Sequence, residues 1–302
     1  MSVKWKYFLS VLFLAVNVIW LAVLAYPKEK LQLISCDVGQ GDATLAVFGD
    51  IQILVDGGPD DRILECLAKY VPFWDRTIEA VVMTHPQKDH FGGLIDVFKS
   101  YQVETFFGPG ISSSSQAYQV LESQVGGSGA EVLNATGGVV IRLGLIHLDI
   151  LHPSKEYLLA NSTSTNMGDG GGVLGAYTTT KDPNEFSVVA ILRYKKFDAL
   201  LTGDIGPKIS NLLIDKYSED IGKEVEYIKI PHHGSKNGVT KELLDAVEPE
   251  IGVISVGVKN RYGHPHKEVI KLLKDRGIEI FRTDEMGDIE VVTDGDSWQV
   301  LE

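Results

Sequence analysis

The sequence predicts a layered α/β fold, and three features support this prediction. Short apolar runs typical of strands alternate with segments of helical periodicity along most of the 302 residues. Six of these runs end in His or Asp, and ligands of layered α/β folds gather beyond strand ends. Hydrophobic residues make up 44% of the chain, which is enough for one large core or two modest ones.

Residues 1–30 are predicted to form a membrane anchor and a linker. Lys4 and Lys6 precede an almost unbroken apolar run from Tyr7 to Tyr26, and about twenty such residues can span a bilayer. Val23-Leu24-Ala25 resembles a signal-peptide cleavage site, which would give a secreted protein, but the length of the run favours an uncleaved anchor. Positive charge before the run favours a single-pass arrangement with the following domain outside the cytoplasm.

Residues 31–302 are predicted to form one domain. The predicted strands lie at 31–35, 43–48, 51–55, 80–83, 103–107, 188–192, 197–201, 227–230 and 251–256, with three more within 126–151 and three within 279–301. The predicted helices lie at 60–70, 92–100, 112–125, 207–217, 240–247 and 266–275. The polar run 161–181 is interpreted as a surface insertion, and a plain loop is favoured over a substrate lid.

The most informative stretch is 80–94, where a buried strand runs into a polar loop. His85, Asp89 and His90 follow the strand within six residues, and Gly92-Gly93 come next. Imidazole and carboxylate are the usual protein ligands of zinc, manganese and iron. The alternative is a polar loop whose histidines contact solvent or backbone. A metal site is favoured because metal-type residues follow six strand ends, at Asp56, His85, His152, Asp204, His232 and His264.

Charge and cysteine content limit the function classes. The net charge of −13 and the isoelectric point near 5.1 oppose long-range attraction of nucleic acid, because phosphate contacts need Lys and Arg. An enzyme that holds phosphate on metal ions is not excluded. Cys36 and Cys66 are the two cysteines, which excludes a disulfide framework and a Cys-rich zinc site. Two buried thiols are favoured over a single disulfide between them.

These motifs, in this order, resemble the metallo-β-lactamase superfamily of dinuclear metallohydrolases, and more closely the hydrolase domain of ComEC-type competence proteins. The matching segments are Asp37-Val-Gly-Gln-Gly-Asp42, Val55-Asp56-Gly57-Gly58, Thr84-His85 with Asp89-His90 and Gly92-Gly93, Leu201-Thr202-Gly203-Asp204, Pro231-His232-His233-Gly234-Ser235 and Arg261-Tyr262-Gly263-His264-Pro265. The resemblance implies a four-layer αββα sandwich after the N-terminal transmembrane helix. No multi-span channel domain is recognisable, so we expect a stand-alone relative, for which a role in DNA uptake does not follow.

The resemblance implies two metal positions bridged by Asp204. Asp89 and His90 would hold one ion together with either His232 or His233, while His85 and His152 would hold the other. Gln87 departs from the family pattern, which has His or Asp there. A neutral amide oxygen is a poor ligand, so the position of His85 and His152 is expected to be weak or vacant.

Further roles are implied by the same resemblance. Asp89 would also orient the attacking water, and His264 would contact the phosphate or protonate the leaving oxygen. Asp56 would support the metal-binding loop from behind the ligands. Asn184 and Ser187 match a family Asn-x-x-Ser pattern on the substrate side, with a strand-start cap as an equal alternative. The remaining motif residues expected behind the ligands or near substrate are Asp37, Asp42, Gln87 and Ser235.

The sequence therefore predicts a membrane-anchored, metal-dependent hydrolase of phosphate esters, either a phosphodiesterase or a nuclease. We expect one or two divalent ions per chain, zinc or manganese, and a phosphate-ester substrate that includes DNA as a candidate. No obligate protein partner is predicted. Two alternatives stay open: a hydrolase of non-phosphate esters or lactones, and a single-metal or non-catalytic binding relative, which the Gln87 departure favours.

Overall fold

The computed structural model describes residues 3–24, 30–164, 176–217 and 225–301. The strands are β1 (Leu31–Ser35), β2 (Thr44–Phe48), β3 (Ile51–Val55), β4 (Thr77–Val82), β5 (Gln102–Gly108), β6 (Glu131–Asn134), β7 (Val140–Leu143), β8 (Ile146–His152), β9 (Thr163–Ser164), β10 (Tyr177–Thr178), β11 (Val189–Tyr194), β12 (Phe197–Leu201), β13 (Tyr227–Lys229), β14 (Ile251–Ile254), β15 (Glu279–Arg282), β16 (Ile289–Thr293) and β17 (Trp298–Leu301). The α-helices are α1 (Val3–Leu24), α2 (Ile63–Tyr70), α3 (Lys88–Phe91), α4 (Leu94–Ser100), α5 (Gln116–Ser128), α6 (Lys155–Asn161), α7 (Pro207–Tyr217), α8 (Lys241–Val247), α9 (Lys267–Lys274) and α10 (Thr283–Met286).

Two large sheets form the centre of the molecule. The first has eight strands in the order β17-β16-β1-β2-β3-β4-β5-β6, and the second has seven in the order β15-β14-β13-β12-β11-β8-β7. Strands β3 to β6 are parallel, as are β12 to β15, and the remaining neighbours are antiparallel. The carboxyl ends of the parallel strands open toward the same edge of the sandwich.

Three apolar clusters give the sandwich four layers. Alternate residues of β1, such as Leu33 and Ile34, enter different clusters because successive side chains of a strand point to opposite faces. One cluster fills the space between the two sheets. The second joins the first sheet to α2, α4 and α5, and the third joins the second sheet to α6, α7, α8 and α9. The predicted αββα sandwich is confirmed.

The predicted transmembrane helix at 1–30 is not found. Residues 3–24 form a helix, but no helix among the described residues combines the length and the apolar character needed to cross a membrane. Ser10 and Asn17 interrupt the apolar run, and the Asn17 amide donates to the Phe13 carbonyl oxygen at 2.7 Å.

The two cysteines form a disulfide, which corrects the expectation of two thiols. Cys36 follows β1 and Cys66 lies on α2, and their Cα atoms are 5.8 Å apart. Helix α2 packs on the first sheet, so tertiary packing brings the two residues together across 30 positions of sequence.

The predicted insertion at 161–181 is described only at its two ends. Strands β9 and β10 pair there in an antiparallel ladder, and Tyr177 also bridges to Ile111. Residues 165–175 lie outside the described part of the chain, so the expectation of a loop over them stays a prediction.

Candidate metal centre

The loops that follow four parallel strands converge on a buried polar cluster. Strands β3 and β4 of the first sheet lead to Asp56 and His85, while β12 and β13 of the second lead to Asp204 and His233. His85, His90, Asp204 and His233 are all at most 2% exposed. Buried groups of this kind need partners, and the neighbouring contacts provide most of them.

His90 is oriented by Asp56. The imidazole Nδ1 donates to Asp56 Oδ2 at 2.8 Å, and Asp56 also accepts from the Thr84 backbone N–H at 2.7 Å and from Thr84 Oγ1 at 2.6 Å. The other nitrogen of His90, Nε2, faces Asp204 Oδ2 at 3.3 Å and has no hydrogen-bond partner. Because Nδ1 is bonded to Asp56, Nε2 is the nitrogen left for a metal ion.

His233 is oriented in the same way by a backbone carbonyl. Its Nδ1 donates to the Ser255 oxygen at 3.0 Å, while Nε2 faces Asp204 Oδ2 at 3.5 Å and Asp89 Oδ2 at 3.6 Å. His232 and His233 both adopt positive φ, 54° and 53°, a region that costs energy for non-glycine residues and is frequent at functional sites. This turn places His233, and not His232, beside the carboxylates.

Asp204 lies near the Nε2 atoms of His90 and His233, and Asp89 lies near that of His233, at distances that suit ligands of one ion. An ion about 2.1 Å from each ligand atom requires neighbouring ligand atoms to be about 3.4 Å apart. Asp204 Oδ2 is 3.3 Å from His90 Nε2 and 3.5 Å from His233 Nε2, and Asp89 Oδ2 is 3.6 Å from His233 Nε2. The Nε2 atoms of both histidines are buried and lack hydrogen-bond partners, as expected of atoms that await a metal.

Asp42 also lies in this cluster, on its far side. Ligand atoms of Asp42, His90, Asp204 and His233 all lie within 4.8 Å of one another. However, the Asp42 carboxylate is 3.8 Å from His90 Nδ1 and 3.5 Å from His233 Nδ1, the nitrogens that already donate elsewhere. Asp42 therefore faces the backs of the two imidazoles, whereas Asp89 Oδ2 lies on the Nε2 side of His233.

The charges of this centre are strongly coupled. Burial opposes protonation of His90 and His233, yet Asp204 raises the pKa of both, that of His233 to about 10 and that of His90 well above 6.5. The same cations hold the pKa of Asp204 well below its ordinary value, although burial acts the other way. Without a metal the two imidazoles therefore keep protons, which an incoming ion would displace.

His85 lies beside this group with a free nitrogen. Its ring is 4.1 Å from that of His90, and its Nδ1 is 3.0 Å from Thr84 Oγ1 and 3.3 Å from Ser187 Oγ. Since Thr84 Oγ1 donates to Asp56, it accepts from His85 Nδ1–H, and this leaves Nε2 buried and unpaired. Burial, reinforced by His90, lowers the pKa of His85 to about 3, so the imidazole is neutral.

His152 bonds through one ring nitrogen and leaves the other, Nδ1, buried without a hydrogen-bond partner. Its Nε2 donates to the Glu185 carbonyl oxygen at 2.8 Å, and its ring packs on Tyr157 at 4.8 Å. Among the described residues, neither His85 nor His152 belongs to a group of three or more potential ligands. Gln87 is half-buried at the start of α3 and makes no side-chain cap bond there.

His264 lies at the mouth of the centre. Its ring stacks on His233 at 6.4 Å and on Tyr262 at 5.7 Å, with interplanar angles of 27° and 23°. Asn260 fixes the loop through two bonds, donating to the His264 carbonyl at 2.8 Å and accepting from its N–H at 2.9 Å. His266 lies 5.0 Å from His264, ring to ring, so imidazoles cluster at this opening.

The other predicted site residues occupy different places. Ser187 Oγ accepts from the Asp204 backbone N–H at 3.2 Å, beside His85. Asn184 has a buried side-chain oxygen without a partner, and Ser235 Oγ accepts from the Asn237 N–H at 3.3 Å. Asp37 is exposed and lines a separate groove of about 500 Å³.

Sequence reasoning missed Lys229, the last residue of β13. It is 3% exposed and its Nζ contacts Asp42 Oδ2, Asp204 Oδ1 at 3.3 Å and the Gly203 carbonyl at 3.1 Å. The available signal was a lysine inside a short apolar strand directly before the Pro-His-His motif. Buried lysines are rare unless paired.

Comparison with known proteins identifies the family. The model of the metallo-beta-lactamase superfamily matches residues 36–258, more than half of the chain. ComE operon protein 3 of Bacillus subtilis is 24% identical over 219 residues, covering 71% of this chain and 24% of that protein. Recombination protein 2 of Haemophilus influenzae is 26% identical over 254 residues, covering 82% of this chain and 27% of that protein.

A solved structure shares the fold. The metallo-beta-lactamase fold protein YhfI of Bacillus subtilis superposes with a TM-score of 0.53 at 12% identity, covering 86% of this chain and 99% of that one. The chain spans about a quarter of the length of the two curated relatives, so the match concerns one part of each. The chain belongs to the metallo-β-lactamase superfamily and is a metal-dependent hydrolase related to competence proteins.

Proposed function

We propose that the protein hydrolyses phosphate diesters at the candidate metal centre. The observation that supports this proposal is the imidazole cluster at its mouth. His264 lies beside the ligand His233 and is surrounded by His232 at 6.1 Å and His266 at 5.0 Å, ring to ring. Imidazole N–H groups are good donors to anionic phosphoryl oxygens, and a lactone carbonyl would not need several of them.

His264 is best suited to bind the phosphate. Burial and the neighbouring His233 lower its pKa to about 4, so the imidazole is neutral at pH 7. A neutral imidazole donates one hydrogen bond, whereas protonation of a leaving oxygen would require the imidazolium. Contact with the phosphate is therefore favoured over the general-acid role.

Asp89 is the ligand candidate that reaches solvent. Its side chain is 35% exposed, compared with 2% for Asp204 and 3% for His233. A carboxylate at the edge of the centre can accept a hydrogen bond from the attacking water and orient it toward phosphorus. A divalent ion held by Asp89, His90, Asp204 and His233 would supply Lewis acidity and lower the pKa of that water.

DNA is the proposed natural substrate class. One relative is named for recombination, and single-stranded nucleic acid binds where exposed aromatic side chains can stack on bases. Tyr262 is 69% exposed and stacks on His264, next to the place proposed for the phosphate. A diester whose bases reach Tyr262 fits this arrangement.

Substrate profiling tests the proposal. Purified protein is assayed against bis-p-nitrophenyl phosphate, single-stranded DNA and a lactone panel, with Asp204→Ala as the matched inactive control. We expect metal-dependent turnover of the two phosphate diesters that the variant loses. Lactone turnover without phosphodiester turnover would reject the proposal, and equal rates for both proteins would indicate a contaminating enzyme.

We also propose that the domain works in an oxidising compartment. The Cys36–Cys66 disulfide supports this, since disulfides persist outside the cytoplasm and are rare within it. Thiol titration of the denatured protein, isolated without reductant, should detect no free thiol, and two thiols per chain would contradict the proposal.

A further inference from the structure

The two oxygens of Asp204 have different partners. Oδ2 faces the free nitrogens of His90 and His233 at 3.3 and 3.5 Å. Oδ1 accepts from Lys229 Nζ at 3.3 Å and from the His232 backbone N–H at 3.1 Å. A carboxylate that bridges two ions offers one oxygen to each. Here the second oxygen already contacts an ammonium and an amide.

Lys229 is fully satisfied in this position. An ammonium has three N–H donors, and Nζ contacts three acceptors, on Asp42, Asp204 and Gly203. The side chain is 4% exposed, and moving it into solvent would leave two buried carboxylates without a counter-charge. Strand β13 ends at this residue, and the parallel neighbours β12 and β14 hold the strand on both sides.

The ligands for a second ion are correspondingly few. His85 Nε2 and His152 Nδ1 are each buried without a hydrogen-bond partner, but among the described residues neither histidine belongs to a group of three or more potential ligands. Gln87 supplies a neutral amide where the family pattern has a ligand. A second divalent ion near Asp204 Oδ1 would also be repelled by the ammonium of Lys229, in a buried region where like charges interact strongly.

We propose that Lys229 takes the place of a second metal ion on Asp204, so that the centre works with a single ion. Lys229 is a positioning residue in this proposal. It neutralises Asp42 and the inner oxygen of Asp204, and it turns the outer oxygen toward His90 and His233. The inference rests on the proposed metal-dependent function, but it concerns how many ions bind and not which substrate is cleaved.

Metal content separates the roles of Lys229 and Gln87. Wild type, Gln87→Asp, Lys229→Met and the double variant are dialysed against Mn²⁺ at equal free concentration and measured by inductively coupled plasma mass spectrometry. Lys236→Met removes an exposed lysine close to the site and controls for the loss of one positive charge. Circular dichroism and thermal melting report whether each variant is folded.

We expect one ion per chain in the wild type, in Gln87→Asp and in Lys236→Met, because Lys229 still occupies Asp204 Oδ1. The double variant should approach two ions per chain, since the ammonium is gone and a carboxylate ligand is restored. Two ions in the wild type, or a second ion gained by Gln87→Asp alone, would overturn the proposal. So would a folded double variant that holds one ion.

Electron paramagnetic resonance gives a second readout that needs no variant. Titration of wild type with Mn²⁺ should yield the spectrum of an isolated ion at saturation, and the spectrum of an exchange-coupled pair would refute the inference. Metal content and the Mn²⁺ spectrum can both be measured even if the protein hydrolyses none of the substrates. A protein with one bound ion and no phosphodiesterase activity would therefore reject the proposed function while supporting the single-ion centre.

Discussion

Replacing Asp56 by Asn should weaken metal binding through the tautomer of His90. The Asp56 carboxylate accepts three hydrogen bonds, from Thr84 N–H at 2.7 Å, Thr84 Oγ1 at 2.6 Å and His90 Nδ1 at 2.8 Å. An amide has one acceptor oxygen and an NH₂ group that only donates. In either orientation of the amide, this NH₂ group faces an N–H group that needs an acceptor.

Movement of one proton within His90 relieves this conflict but weakens metal binding. If the amide oxygen accepts from the Thr84 N–H, the NH₂ group faces His90 Nδ1. The imidazole accepts that bond when its hydrogen moves to Nε2, the atom that faces Asp204 at 3.3 Å. A protonated Nε2 has no lone pair for a metal ion. The substitution therefore removes a ligand without changing the ligand residue itself.

The expected loss of metal affinity is about 10- to 100-fold, the usual effect of removing the partner of a ligating histidine. That factor corresponds to about 1.4–2.7 kcal/mol of binding free energy. Loss of hydrogen bonds to a buried charged group costs about 1.5–3 kcal/mol of stability, less than the 5–15 kcal/mol typical of a domain. The variant should therefore fold and bind metal weakly.

Competition with a chelator measures the affinity, and nitrogen chemical shifts of His90 in ¹⁵N-labelled protein report its tautomer. Asp60→Asn is the matched control, because that carboxylate is exposed and pairs with Arg62. We expect this control to bind metal like the wild type. Unchanged affinity in Asp56→Asn, or a loss accompanied by an unchanged tautomer, would refute the reasoning.

Three further predictions follow from the same geometry. Asp204→Ala should lose more activity than Asp56→Ala, because Asp204 faces both ligand histidines. Kinetics and metal content of the two variants test this prediction, and a larger loss of activity in Asp56→Ala would contradict it. His233→Ala should lose the bound metal, and His232→Ala should keep it. Metal analysis of both variants tests this prediction, and equal losses of metal would show that His233 is not the ligand of the pair. Burial raises the pKa of Asp198 from 3.8 to about 6, so ionisation of this side chain destabilises the fold as pH rises between these values. Asp198→Asn should match wild type below pH 4 and be more stable than wild type above pH 6 in urea melts, whereas a less stable variant at pH 7 would contradict the pKa shift.

The sequence alone determined the architecture and the chemical type of the site. Alternation and helical periodicity are local properties of a sequence, so they located most of the strands of both sheets and most of the helices that pack on them. His85 and Asp204 could be recognised as candidate metal ligands for the same reason, since each follows a strand closely in sequence. Parallel strands place their carboxyl ends at one edge, which let the pattern predict convergence before any contact was known.

Only the tertiary structure decided which atoms meet. Asp42 and Lys229 are 187 positions apart, and neither spacing nor periodicity relates such distant residues. The sequence likewise could not predict the disulfide, because the pairing of Cys36 with Cys66 depends on how α2 packs against the first sheet. Adjacent His232 and His233 look equivalent in sequence, but a turn with two positive φ angles directs only His233 to the carboxylates. Sequence patterns report which side chains are buried or polar, whereas long-range packing and backbone direction determine their partners.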